Sequence, residues 1–211
     1  MLTEGMHEMR RAWRAAAPAL MLVALAACAA PVEPVETPDA MRFTEKPPIG
    51  LSVARVEIET MDTGERVDHE VLAKFAVPPE EAMRQWARDR LQAGGGTGSG
   101  IGTGSGVGRF TILTASVEEE KQQPAKGAVG WVTPAPGGRY TITVEGRLEI
   151  LAEGGQRGMT AAKVARAKTL EPGLTPDERT RALYDLTLAT MTAFDEQMER
   201  AIRRHLNPWV F

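Results

Sequence analysis

Tyr140-Thr-Ile-Thr-Val-Glu-Gly-Arg-Leu-Glu-Ile-Leu151 decides the fold. Tyr140, Ile142, Val144, Leu148 and Ile150 fall on one side of an extended chain, and Thr141, Thr143, Glu145, Arg147 and Glu149 on the other. A period of two, with one apolar and one polar set, is the pattern of a strand that buries a single face. Glu153-Gly154-Gly155 reads as a turn. Gly158–Leu170 then returns as a second strand, Ala162, Val164 and Leu170 set against Lys163, Ala165 and Ala167. The two predict an antiparallel hairpin.

Working outward, Arg109–Val117 predicts another strand, with Phe110 and Ile112 facing opposite Leu113, Ala115 and Val117. Leu51–Thr60 predicts a fourth, in which Ala54, Val56 and Ile58 alternate with Arg55, Glu57 and Glu59. Val71–Val77 fits either a short strand or a loop. Pro79–Ala93 predicts a helix: proline suits the first turn, Glu80 and Glu81 suit its positive end, and Gly94 stops it. Met83, Trp86, Ala87 and Leu91 share one face, which places Trp86 in the core. Thr175-Pro176-Asp177-Glu178 is the start of a second helix, with Thr as cap and Glu178 completing a capping box. Its apolar stripe is Leu183, Thr187, Met191, Phe194, Met198, Ala201 and Ile202, and it runs to about His205. Arg200, Arg203 and Arg204 suit its negative end. The order β-α-β-β-β-α predicts an α+β two-layer sandwich: one small, mostly antiparallel sheet of about four strands packed on two helices, forming a single domain over residues 49–211.

Residues 1–27 have the three parts of an export signal. Arg10, Arg11 and Arg14 give the positive region, and Glu4 and Glu8 ahead of them leave Met1, Met6 and Met9 open as starts. The uncharged run Ala15–Ala27 is too short to span a hydrocarbon core of about 30 Å. It ends in Leu25-Ala26-Ala27-Cys28, an aliphatic residue, two small ones and the chain's single cysteine. This box resembles that of the bacterial lipoproteins. The resemblance implies lipidation of Cys28, cleavage before it and anchorage to a membrane. Ala29, rather than Asp, in the following position resembles outer-membrane sorting, with the domain facing the periplasm; the inner membrane is the alternative. Residues 28–48 carry repeated prolines and Glu33 and Glu36, and read as an extended tether.

Composition excludes several classes of function. The net charge is −3, and removal of residues 1–27 takes away three Arg and two Glu, leaving −4. A nucleic-acid partner calls for a basic face instead. Gly94–Gly108 alternates glycine with Thr, Ser, Ile and Val. No Lys-Ser or Lys-Thr follows it, and it leads from a helix into a strand, the reverse of a nucleotide loop, so it reads as a flexible insert. His69 and His205 lie far apart, and Cys28 is committed to lipid, so no metal site, cofactor site or catalytic set is expected. Glu118-Glu119-Glu120 reads as a solvated strand end.

Trp86-Ala87-Arg88-Asp89-Arg90-Leu91, Arg109-Phe110-Thr111-Ile112 and Arg200-Ala201-Ile202-Arg203-Arg204-His205-Leu206 resemble an uncharacterised family of proteobacterial envelope lipoproteins across most of residues 50–206. The layout is distantly similar to the auxiliary lipoproteins of intermembrane lipid-transport ABC systems and to the lipopolysaccharide-assembly lipoprotein. The resemblance implies a non-catalytic accessory lipoprotein that binds another envelope protein. The alternative is a carrier holding a lipid or other apolar ligand between sheet and helices, and an enzyme is the third reading. Trp209-Val210-Phe211, an apolar tail after Pro208, either completes the core or docks a partner.

Overall fold

The computed structural model describes residues 41–61, 69–94, 104, 106–121, 137–152 and 154–211. The chain divides into two units, Met1–Thr37 and Pro38–Phe211, and every described residue lies in the second. The signal, Cys28 and most of the glycine-rich insert therefore fall outside the described residues.

The elements in chain order are β1 (Ile49–Leu51), β2 (Arg55–Thr60), α1 (His69–Leu72), α2 (Pro79–Arg90), β3 (Leu91–Ala93), β4 (Val107–Lys121), β5 (Gly138–Leu151), β6 (Arg157–Leu170), α3 (Pro176–His205) and a 3-10 turn, Asn207–Trp209. They form an α+β unit with a four-stranded sheet, β2-β4-β5-β6, and a two-stranded parallel sheet, β1-β3. β2 runs parallel to β4, and β4, β5 and β6 are antiparallel neighbours. The hairpin expected from Tyr140–Leu151 and Gly158–Leu170 is present, and α3 begins with both halves of the Thr175–Glu178 capping box.

Along β5 the expected alternation is complete. Tyr140, Ile142, Val144, Leu148 and Ile150 are buried, while Thr141, Thr143, Glu145, Arg147 and Glu149 are half-buried on the other face. Against the buried face α2 sets Ala82, Met83, Trp86 and Ala87, and α3 sets Leu183, Met191, Phe194, Met198 and Ile202. Trp86 lies 5.0 Å from Phe194 and 5.2 Å from Phe110, centroid to centroid. Gly146 leaves room for this cluster: a Cβ there would come within 2.7 Å of Phe110 and 2.9 Å of Phe194.

Three expectations are corrected and one open reading is resolved. The single strand over Leu51–Thr60 is two strands in two sheets, and Ala54 is exposed. Leu51 and Val53 are buried, then Val56 and Ile58 face the core, so the apolar phase slips by one residue where the chain crosses over. The helix over Pro79–Ala93 stops at Arg90, because Leu91–Ala93 pairs with Ile49–Leu51 and takes extended backbone. Of the two readings of residues 71–77 the loop holds over 73–77, while Val71 and Leu72 close the one helical turn of α1. Finally, the β4–β5 register shifts between Ile112 and Thr114. The extra residue, Leu113, puts Ala115 and Val117 on the same face as Phe110 and Ile112 instead of opposite them.

The stretch read as a tether up to Pro48 already belongs to the domain by residue 41. Met41 and Phe43 are buried, and the Phe43 amide donates to Asp89 Oδ2 at 2.9 Å.

Candidate functional site

Among the described residues, two polar clusters and the C-terminal tail concentrate side chains able to do more than fill the core.

The first cluster exists because of the bulge at Leu113. With the register shifted, Glu119 turns to the inner face opposite Tyr140, while Glu118 and Glu120 stay exposed. Only Glu119 thus leaves the solvated strand end expected for all three glutamates. Tyr140 donates its hydroxyl to Glu119 Oε1 at 2.6 Å, and Lys74 Nζ donates to Oε2 at 2.6 Å. The same ammonium lies 5.7 Å from the Tyr140 ring centroid. Burial opposes the Glu119 charge, but hydrogen bonds from Lys74 and Tyr140 outweigh it and hold the carboxyl below its usual range. Burial likewise opposes the charge of Lys74, yet its bond to Glu119 holds the ammonium above its usual range. Burial and Glu119 together push the Tyr140 hydroxyl up. All three shifts favour the charged Glu119–Lys74 pair and the neutral Tyr140 hydroxyl that make the cluster. Beside them lies a cleft of about 610 Å³, into which Lys121, Leu174 and Arg179 also project.

The second cluster centres on Asp195, buried among apolar residues of α3. Its Oδ1 accepts from Trp86 Nε1 at 2.9 Å and from Arg90 Nε at 2.7 Å, and its Oδ2 accepts from Lys46 Nζ at 2.7 Å. Arg90, only 1% exposed, donates Nη2 to Glu199 Oε2 at 2.6 Å and Nη1 to the Pro47 carbonyl. Burial opposes ionisation of Asp195, but the three donors hold its carboxyl below the ordinary range. The cluster ties the entering chain at Lys46-Pro47 to both helices. Its donors and acceptors are spent on one another, which makes it a clasp.

The tail folds along β1. Val210 bridges Leu51 in antiparallel fashion, Ser52 N donates to the Trp209 carbonyl at 2.8 Å, and Phe211 N donates to the Gly50 carbonyl at 3.2 Å. Trp209 is half-buried and sits over Gly158, where a Cβ would collide with its ring. Phe211 lies across Gly50 and Gly94, yet is 75% exposed.

His69 and His205 are exposed, at the start of α1 and the end of α3. Among the described residues no three His, Cys, Asp or Glu side chains gather as a metal-holding group. None of their helices is long and apolar enough to cross a membrane. Sequence reasoning passed over Lys46, Lys74, Arg90 and Asp195, and read Glu119 as solvated. One signal was available: Asp195 lies four residues after Met191 and three before Met198, so a carboxylate sits inside an apolar stripe. A charge there must be paired or neutral.

No protein-family model matches the chain, and no curated protein matches it in sequence. Among solved structures, it is similar to a minor lipoprotein from Acinetobacter baumannii at 8% identity and a TM-score of 0.34, over 74% of this chain and 96% of that one. It is also similar to the rare lipoprotein B from Shewanella oneidensis at 13% identity and a TM-score of 0.24, over 69% of this chain and 98% of that one. Likenesses of this size carry no functional argument.

Proposed function

We propose that this chain is a non-catalytic accessory lipoprotein of the cell envelope, anchored by lipids on Cys28 to the outer membrane and facing the periplasm. Its α+β unit, a two-layer sandwich, binds another envelope protein in envelope assembly or lipid transport. The observation that carries the reading is the Leu25-Ala26-Ala27-Cys28 box placed directly after a basic region and an apolar run. Each buried methylene contributes roughly 0.8 kcal/mol, so two or three long acyl chains hold the protein on the membrane for good. Met41 is already packed on the domain, which leaves the twelve residues between Cys28 and Met41 to span the gap, at most about 45 Å when fully extended.

Two observations favour an accessory over a carrier or an enzyme. The space between sheet and helices, where an apolar ligand would sit, is filled by Trp86, Phe110 and Phe194. Among the described residues the buried charged side chains, Arg90 and Asp195, are paired with each other. Within this reading Phe211 is the part of the tail offered to a partner, while Trp209 and Val210 fasten it to the domain.

Metabolic labelling with a clickable fatty acid tests the anchor. The wild-type chain takes up label and sediments with membranes, whereas Cys28→Ser does neither; a labelled Cys28→Ser protein would refute it. Photo-crosslinking in cells from positions around the domain surface tests the accessory role. The expected result is one reproducible envelope-protein partner, and capture of lipid alone would instead favour the carrier.

A further inference from the structure

β6 is an outer strand of the four-stranded sheet, and among the described residues no strand pairs with its free edge. It is 14 residues long, contains no proline, and keeps unbroken register with β5 from Gly138↔Leu170 to Leu151↔Arg157. Such an edge presents a row of backbone donors and acceptors to any extended chain that reaches it. Proteins blunt long edges with bulges, prolines, short length or charge. β6 uses charge alone, and of one sign: Arg157, Lys163, Arg166 and Lys168, with no acidic residue along the strand.

That charge also selects among occupants. A second copy of the edge would set four cations against four. The chain's own acidic stretch after Cys28 carries Pro31, Pro34 and Pro38. Pro31 and Pro34 are of opposite parity, so in any register one of them faces β6 without an N–H to give. An acidic, proline-free segment from another protein meets neither obstacle.

The flank of the strand supplies the second half of a strand-addition site. Between β6 and α3 runs an open groove of about 420 Å³. Ala189 and Ala193 keep its helical wall low, Leu188 is 38% exposed along it, Arg166 forms its strand side, and Asp185 and Glu196 also line it, so the side chains it takes are the apolar set of an alternating segment. A strand laid beside β6 would turn every second side chain toward this groove. Main-chain bonds would supply affinity, and the groove would supply selectivity.

We propose that the free edge of β6, together with the groove beneath α3, takes up an extended acidic segment of a partner protein by strand addition. The proposal rests on the accessory reading only for the identity of that partner as an envelope protein.

The probe is a short dye-labelled peptide alternating Glu and Val, titrated into the mature lipidated chain in non-ionic detergent, with a Lys-Val peptide as its counterpart. The Glu-Val peptide should bind and the Lys-Val peptide should not. Alternate amides of β6 should then exchange at least about tenfold more slowly with solvent. Arg157→Glu combined with Lys163→Glu, on the opposite face of β6, should reverse the preference between the peptides. Leu188→Arg, which blocks the groove from an exposed helix position, should weaken binding about tenfold with an unchanged melting temperature. Binding without β6 protection would reduce the effect to charge attraction and overturn the proposal. So would failure of the Glu-Val peptide, or self-association that protects the same amides. If the peptide fails while crosslinking in cells still captures an envelope partner through another face, strand addition falls and the accessory reading stands. If it binds with full protection and no envelope partner exists, the accessory reading falls and the edge site stands.

Discussion

Arg90 and Asp195 meet in the interior 105 residues apart in the chain, Nε donating to Oδ1 at 2.7 Å. One guanidinium and one carboxylate thereby join the end of α2 to the middle of α3. Through Lys46 and the Pro47 carbonyl they also hold the segment by which the chain enters the domain.

Asp195→Ala should destabilise the fold by about 2–4 kcal/mol, because it takes the acceptor from the buried Arg90 Nε and Trp86 Nε1, while Arg90 keeps Glu199. Asp195→Leu together with Arg90→Leu should cost less than Asp195→Ala alone, since the buried Arg90 Nε leaves with its acceptor and only the Trp86 N–H stays unpaired. Urea denaturation of the three proteins measures the order. A double variant weaker than the single one would show that the cluster contributes net stability beyond avoiding an orphaned donor.

Acid should unfold the domain through its depressed carboxylates. Burial opposes ionisation of both Asp195 and Glu119, but their hydrogen-bonding partners outweigh it and lower both pKa values. A group with a lowered folded pKa stabilises the protein above its unfolded pKa, about 3.9 for Asp and 4.3 for Glu. That contribution is lost as pH falls through the lower folded values. The urea midpoint should therefore drop below about pH 4, and Asp195→Asn should show a shallower drop. An equally steep acid limb in Asp195→Asn combined with Glu119→Gln would place the titrating groups elsewhere.

Gly146→Ala should cost about 1–3 kcal/mol, because the added methyl meets Phe110 at 2.7 Å and Phe194 at 2.9 Å inside a filled core. Gly94→Ala also places its methyl on a ring, that of Phe211, but this ring is 75% exposed and free to swing away. Its cost should stay within about 0.5 kcal/mol. Thermal melts of the two variants test the contrast.

Deleting Trp209-Val210-Phe211 removes the bridge to Leu51 and the half-buried indole over Gly158, and should lower stability by about 2 kcal/mol. Removing Phe211 alone should leave the melting temperature almost unchanged. If the longer deletion is also silent, the tail contributes nothing to the fold and its apolar residues serve only a partner.

Much of the framework was legible because it rests on short-range pattern. The faces of β5 follow from a period of two, and the start of α3 follows from Thr175 and Glu178 three residues apart. The candidate clusters were much less so. Glu119 reads as one of three solvated glutamates until the bulge at Leu113 changes which way it points. Nothing within a few positions of Arg90 announces Asp195, which arrives from α3.

By itself the sequence determined which face of β5 and of the two long helices is apolar, and where α3 is capped. These depend on residues within a few positions of one another. The tertiary structure alone decided that Leu91–Ala93 leaves its helix to pair with Ile49–Leu51, that Val210 joins the edge of β1, and that Asp195 is buried as an ion. Each of these trades a locally favoured state for a partner far along the chain. Local propensity differences of up to about 1 kcal/mol per residue are easily outweighed by such long-range pairing and burial.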